Sequence, residues 1–366
     1  MNEYDVCLLS TTDVAHDARC LNLARTLAEA GKKVAIIAPN TKDISISSVQ
    51  IIKVSQPSSQ RAYSIWKHFS REVKSLKNIN SKIICAMDIY ALTASHRLVR
   101  QCGAKFYYDA REIYSAIGSL SKKWLKQKLQ TEFEKYYARK IDRFIVSGRL
   151  DAEYLKKHFN TDKEFLVLMN LPPRREPMES DILREKYSIG NDKQIIIYQG
   201  VLVGGRGIKR TIDALEYLTK YVFCLIGWSP TEDEYKQYAS EKSYSKRIIF
   251  CGGVPYDELH AFTSSADIGI CFIEPISFSY ELALPNKLFE YAMAGLPSLV
   301  SDLPAMHEII EKHKTGLLVS PASQAKELAE KIQELIERKD EILRNCDLAR
   351  DSFGYESQRE EIVSFF

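Results

Sequence analysis

Short apolar runs recur along this 366-residue chain at spacings that leave room for a helix between most of them, and this alternation constrains the fold more than any other feature. In the first half the runs lie at 4–9, 33–38, 49–54, 82–87, 105–109, 143–147 and 165–169. Helical periodicity fills the gaps, as over 17–30, where Cys20, Leu23, Ala24 and Leu27 share one face. Strands that alternate with helices imply βαβ units and a parallel, doubly wound sheet. The segment 170–177 then interrupts the pattern with Pro172, Pro173 and Pro177 and reads as a linker. The alternation restarts at 194–199, 222–226, 247–250, 267–272, 298–301 and 316–319. Two α/β domains follow, each long enough to bury its own core. No internal repeat of solenoid length is present.

Charge is placed unevenly. Residues 1–172 carry 28 Lys+Arg and 17 Asp+Glu, a net of +11, while the remainder carries 23 basic and 31 acidic residues, a net of −8. Such asymmetry predicts that the first domain meets an anionic partner. The helical segment 119–140 sets Lys122, Lys123, Lys126 and Lys128 beside Trp124 and Leu125, and the segment 61–77 adds Trp66, Phe69 and five cations. Basic amphipathic helices with aromatics suit an anionic membrane surface; a plain solvated helix face is the other reading. No recognition module for nucleic acid accompanies the charge, so nucleic acid is not expected as a partner. The eight cysteines are scattered without a CxxC or a Cys/His cluster and read as reduced core thiols, not as a zinc site or disulfide framework. No apolar run reaches the length of a membrane span. The opening MNEYD is an acidic lead into a strand, not a signal peptide. The expected location is cytoplasmic, with attachment to the inner face of the membrane through the basic helices.

Ligands of doubly wound sheets bind beyond the carboxyl ends of the strands, so the residues that follow each strand are the candidates. After the first strand, 10–19 (STTDVAHDAR) offers His16, Asp17 and Arg19; Asp17 also reads as a helix N-cap and Arg19 as a surface residue. After the fifth, 107–114 (YYDAREIY) places Asp109, Arg111 and Glu112 on one short loop. Arg111 stays protonated and is no general base, but it can hold a phosphate, a sugar carboxylate or an acceptor. The strand 194–199 runs into QGVLVGGRG, a glycine-rich turn before a helix, whose backbone N–H groups can approach a phosphate closely. Gly200, Gly205, Gly207 and Arg206 are the candidates there, with Lys209 and Arg210 read as solvated. The turn at 250–259 (FCGGVPYDEL) contributes Val254. Last comes 273–302, an irregular loop, a helix over 286–294 opened by Pro285 and closed by Gly295 and Pro297, and a short strand. The start of that helix presents unpaired N–H groups and a positive dipole end; Lys287 adds a full charge, and Glu290 follows one turn on.

PNKLFEYAMAGLP resembles the C-terminal signature of GT-B glycosyltransferases, specifically the retaining family 4 enzymes (glycosyl transferases group 1). The opening loop, DAREIY, QGVLVGGRG and this helix stand in family order over nearly the whole chain. The resemblance implies an α/β GT-B fold: two Rossmann-like doubly wound parallel-sheet domains facing a cleft. An acceptor-binding domain would cover 1–171 and a nucleotide-sugar donor domain 172–352, with a final helix at about 353–366 packing back on the first. It implies transfer of a sugar from a nucleotide-sugar donor to a glycan or lipid-linked acceptor, with retention, in cell-surface polysaccharide or glycoconjugate synthesis.

Residue by residue, Glu290 matches the carboxylate that holds the ribose hydroxyls, with Leu288 beside it. Arg206 and Lys287 would carry the pyrophosphate charge, Gly200 and Gly205 would bring backbone to it, and Val254 would pack on the base. The family's sugar-contacting Glu falls at Leu282 here, with Glu281 one place further back. Val201 stands where relatives carry a first pyrophosphate Arg, and Arg111 where they carry a His near the sugar. Asp17, Arg19, Asp109, Arg111 and Glu112 would form the acceptor side. No protein-bound metal or other cofactor is expected. Two alternatives carry less: a GT-B sugar-nucleotide epimerase, which would need the acid–base His that Arg111 replaces, and a non-catalytic nucleotide- or glycan-binding partner subunit, which would have no need of Arg206, Lys287 and Glu290 together.

Overall fold

The computed structural model describes residues 2–59, 61–116 and 124–366. It divides into two units, Met1–Met169 with Gln358–Phe366, and Asn170–Ser357. The linker composition had suggested divisions at 171/172 and about 352/353. Lys122 and Lys123 of the basic helix lie outside the described residues.

In the first unit the strands are β1 (Asn2–Leu9), β2 (Val34–Pro39), β3 (Val49–Val54), β4 (Ile79–Ala86), β5 (Lys105–Ala110), β6 (Arg143–Val146) and β7 (Phe165–Val167). They form one sheet in the order β3-β2-β1-β4-β5-β6-β7, every pair parallel. Helices cover both faces, so a central strand such as β2 is buried at all six positions and reads as a continuous apolar run. The edge strand β3 is mostly half-buried or exposed. β4 begins three residues earlier than the apolar run, because Ile79, Asn80 and Ser81 pair with β1; Ser81 turns inward and donates to the Ile83 carbonyl. The last helix, Arg359–Phe365, belongs to this unit: Phe365 and Phe366 both pack against Tyr107.

The second unit holds β8 (Gln194–Gln199), β9 (Tyr221–Ile226), β10 (Ile248–Gly252), β11 (Ile268–Cys271), β12 (Ser298–Ser301) and β13 (Gly316–Val319). Their order is β10-β9-β8-β11-β12-β13, again all parallel. In each unit the strand order reverses at one place, between β1 and β4 and between β8 and β11. That is where a doubly wound sheet opens a crevice for ligands. The helix Asn286–Met293 packs beneath the second crevice. Tyr291 of this helix lies against Gly269 of β11, where an added Cβ would come within 2.5 Å of the ring. Its hydroxyl sits 3.3 Å from the Gln199 backbone nitrogen and from the Ile270 carbonyl. Gly295, at φ +67°, ends the helix in the left-handed conformation expected of a helix-terminating glycine.

Candidate functional site

The second crevice is built from the turn after β8. Gly200 has φ +124° and Gly227, after β9, has φ +142°. A Cβ on Gly227 would fall 1.9 Å from the Gly200 carbonyl oxygen, so two backbone segments meet where no side chain fits. Beside Gly200 lies Lys287, only 8% exposed. Its Nζ lies 3.5 Å from the centroid of the Tyr198 ring and 3.6 Å from where a Gly200 Cβ would be. No carboxylate pairs with it among the described residues. Burial, reinforced by the nearby Arg206 charge, lowers its pKa to about 7. Arg206 spreads its guanidinium over the Tyr280 ring at 4.6 Å and likewise has no carboxylate partner among the described residues. Two basic side chains therefore share a small crevice with no carboxylate within bonding distance among the described residues.

One turn beyond Lys287, Glu290 points toward a small pocket lined also by Arg175, Gln199, Tyr256, His260 and Thr263. Burial raises its carboxyl pKa, against the opposing pull of a hydrogen bond from Gln199 and of the Lys287 charge. Gln199 Nε2 donates to Glu290 Oε2 at 2.5 Å. Of the other expected donor residues, Leu288 is fully buried in the core and Val254 packs against that core outside the pocket lining. Glu281 is exposed at the end of the short helix Phe278–Glu281. Arg210 is not solvated as expected: it donates to the Pro321 and Ser323 carbonyls and pairs with Glu274 at 3.1 Å. Lys209 is exposed, its ammonium 5.0 Å from the Tyr238 ring. Sequence reading missed Gln199, Thr263, Tyr256, His260 and Arg175. Only Arg175, a cation in the proline-rich linker, offered a signal.

At the carboxyl edge of the first sheet, the expected acceptor-side residues condense into one ion network. Asp17 is the N-cap of the helix Ala18–Glu29, accepting from the Cys20 backbone, and it also accepts from Ser10 Oγ at 2.7 Å. Arg19 is not a surface residue. It forks onto both oxygens of Asp109 at 2.7 Å each and reaches the Leu168 carbonyl, with its side chain 8% exposed. Arg111 bridges Asp17 at 2.9 Å and Asp109 at 3.3 Å. Burial works against its charge, but the two carboxylates outweigh that and hold it protonated. Its Nη2 is buried with no hydrogen-bond partner. Two guanidinium groups and two carboxylates are thus bonded together here, whereas Arg206 and Lys287 of the second unit have no carboxylate within bonding distance among the described residues. His16 is exposed on a short turn. Glu112 follows Arg111 on the same loop and is exposed.

Residues 179–349 match the family model of glycosyl transferases group 1, a span inside the second unit. The chain is 25% identical over 249 residues to EpsD of Bacillus subtilis (strain 168), covering 65% of this chain and 62% of that protein. It is 25% identical over 190 residues to a GDP-mannose-dependent alpha-(1-6)-phosphatidylinositol monomannoside mannosyltransferase of Mycobacterium tuberculosis, covering 50% of this chain and 46% of that one. The chain thus spans less than two thirds of the length of these relatives. Among solved structures, sucrose-phosphate synthase from Thermosynechococcus elongatus superposes with a TM-score of 0.78 at 16% identity, covering 100% of this chain and 98% of that one. Anabaena HepE in complex with UDP-glucose does so with a TM-score of 0.74 at 14% identity, covering 99% of each. The fold is therefore that of the GT-B glycosyltransferases, and residues 179–349 carry the glycosyl transferases group 1 match.

Proposed function

We propose that the protein is a nucleotide-sugar-dependent glycosyltransferase of family 4 type, acting with retention, in which the second unit binds the donor and the first takes the acceptor. The observation that carries this reading is a pair of basic side chains, Arg206 and Lys287, with no bonded carboxylate among the described residues, beside the glycine turn and one helical turn from Glu290. A diphosphate fits that charge, and a ribose fits the carboxylate. During transfer the glycosidic bond to the diphosphate breaks and negative charge grows on the leaving oxygen. Fixed cations and the N-terminus of the helix Asn286–Met293 stabilise that charge without reorganising. The departing phosphate accepts the proton of the acceptor hydroxyl, so no side-chain base and no protein-bound metal are assigned. The match of residues 179–349 and the relatives named for sugar transfer support the same reading.

Thermal shift against UDP, GDP, ADP, CDP and their common sugar conjugates tests it. A ligand present at about 100 times its Kd is expected to add about 2.7 kcal/mol of stability. Glu290→Ala is expected to abolish the shift. Absence of a shift with every nucleotide would remove the donor assignment.

The acceptor is proposed to be a glycan or lipid-linked sugar of a cell-surface polymer, met at an anionic membrane face. In the helix Trp124–Ala138, Trp124, Leu125 and Leu129 are exposed beside the exposed Lys126 and Lys128. The helix Ala62–Ser75 adds less than its sequence suggested, because Phe69 is buried and Trp66 donates to Thr93. No helix among the described residues is long and apolar enough to cross a membrane, so attachment would be peripheral. The protein is expected to co-sediment with phosphatidylglycerol vesicles at low salt and to lose this in Trp124→Ser/Leu125→Ser; equal binding by wild type and variant would exclude this helix.

A further inference from the structure

The geometry points to Gln199 as the positioning residue for Glu290, itself held by Thr263, so that one carboxylate oxygen is kept for the sugar hydroxyls of the bound nucleotide. This rests on the nucleotide reading of the second unit. It adds a residue pair on a strand end and a neighbouring helix that the signature helix does not contain.

Three side chains form a single line. Thr263, on the helix Tyr256–Ser264, places Oγ 2.8 Å from Gln199 Oε1. Gln199, the last residue of β8, passes the chain on by donating Nε2–H to Glu290 Oε2 at 2.5 Å. Thr263 is 1% exposed and Gln199 is 3% exposed, so water does not compete for these bonds. An amide can accept from a hydroxyl at one end and donate to a carboxylate at the other without carrying charge. Glu290 fixes its orientation, since the flipped amide would set its oxygen against the carboxylate; the Thr263 hydroxyl, with its one proton, has Oγ 2.8 Å from both Gln199 Oε1 and the Leu259 carbonyl oxygen. The Gln199 backbone is pinned as well, with its nitrogen 3.3 Å from the Tyr291 hydroxyl.

The consequence lies at the other oxygen. Oε1 of Glu290 accepts no hydrogen bond among the described residues, and Glu290 lines the pocket. A glutamate has three rotatable bonds, and a long, buried carboxylate left alone would lose much of its binding power to rotation. With Oε2 tied, Oε1 has one direction to face. Vicinal hydroxyls of a ribose are the groups it would read, and recognition of a hydroxyl by a buried, pre-oriented partner discriminates strongly against an analogue that lacks it.

The test compares UDP and GDP with dUDP and dGDP by titration calorimetry, and with UMP and GMP to report on the second phosphate. Wild type is expected to prefer the ribonucleotide by at least tenfold. Gln199→Leu is expected to reduce that preference to about twofold while the preference for diphosphate over monophosphate stays at the wild-type value. Thr263→Val, nearly isosteric, is expected to move the ribose preference the same way by a smaller factor; it keeps the test open if Gln199→Leu does not fold. A merely structural role would weaken all ligands together and leave both ratios alone. Wild-type ribose preference in both variants would overturn the inference while leaving the donor reading intact. No binding of any nucleotide by wild type would overturn the donor reading, and this inference with it.

Discussion

Lys287→Met is expected to cut turnover by about 10²–10³-fold, and to leave the ligand-free protein at least as stable as before. The two halves of this result come from one geometry. Lys287 is buried, faces the Tyr198 ring and has no carboxylate partner among the described residues, so in the absence of an anion its charge is a liability. The protein answers by lowering its pKa to about 7. Met keeps the apolar stem and removes the charge. A lysine kept for structure would behave in the opposite way, and its loss would destabilise.

The pH dependence follows from the same shift. Free Lys287 is largely neutral at pH 8, whereas beside a diphosphate it is charged, so binding takes up a proton. Affinity for a nucleoside diphosphate is then expected to be level below pH 7 and to fall by about tenfold per pH unit above it. Calorimetry at pH 8 in buffers of different ionisation enthalpy would read close to one proton taken up, and none in Lys287→Met. For the ligand-free protein the sign is reversed. The unfolded chain holds this proton up to the ordinary lysine pKa while the folded one has released it, so stability rises with pH above 7. Wild-type turnover and proton uptake in Lys287→Met would take this residue out of the site.

The parts of this architecture that were legible in the sequence are those written in contiguous residues. Strands buried on both faces appear as unbroken apolar runs, and this is why β8, β12 and β13 begin and end where the sequence places them. Polar strand ends are less visible: Ile79, Asn80 and Ser81 lengthen β4 through backbone pairing with β1, which side-chain pattern does not report. The glycine turn and the signature helix could be named as candidates because glycine, proline and a charge stand at fixed short spacings. Contacts across the sheet could not. Gln199 and Thr263 are 64 residues apart and Gln199 and Glu290 are 91 apart, so each reads alone as an ordinary polar residue. Arg19 lies on what periodicity assigns to the polar face of its helix, and only the fold brings it under Asp109, 90 positions later. Arg210 was misread for the same reason, its carbonyl partners coming from 111 and 113 residues away.

Asp109→Ala is the substitution expected to cost most stability, about 3–5 kcal/mol. For a unit of this size that is a fall in Tm on the order of 10 °C. Asp109 is wholly buried at the end of β5 and accepts two bonds from Arg19 and one from Arg111. Removing it leaves two guanidinium groups in a buried site, where Arg19 has lost its forked carboxylate and Arg111 keeps its bond to Asp17. The penalty is the desolvated charge left behind, not the worth of one bond. Replacing the pair together, as Arg19→Met/Asp109→Leu, should therefore recover much of the loss, because no unpaired charge then remains between those positions. Urea unfolding of the single and double variants gives the coupling directly. A loss under about 1 kcal/mol in Asp109→Ala would mean that the network behaves like an exposed ion pair. The same cycle separates stability from acceptor recognition. Arg111 keeps its Asp17 partner in every variant, so an activity loss that survives the stability recovery of the double variant would assign Asp109 or Arg19 to the acceptor, and an activity that returns with stability would confine them to holding the first sheet's carboxyl edge in place.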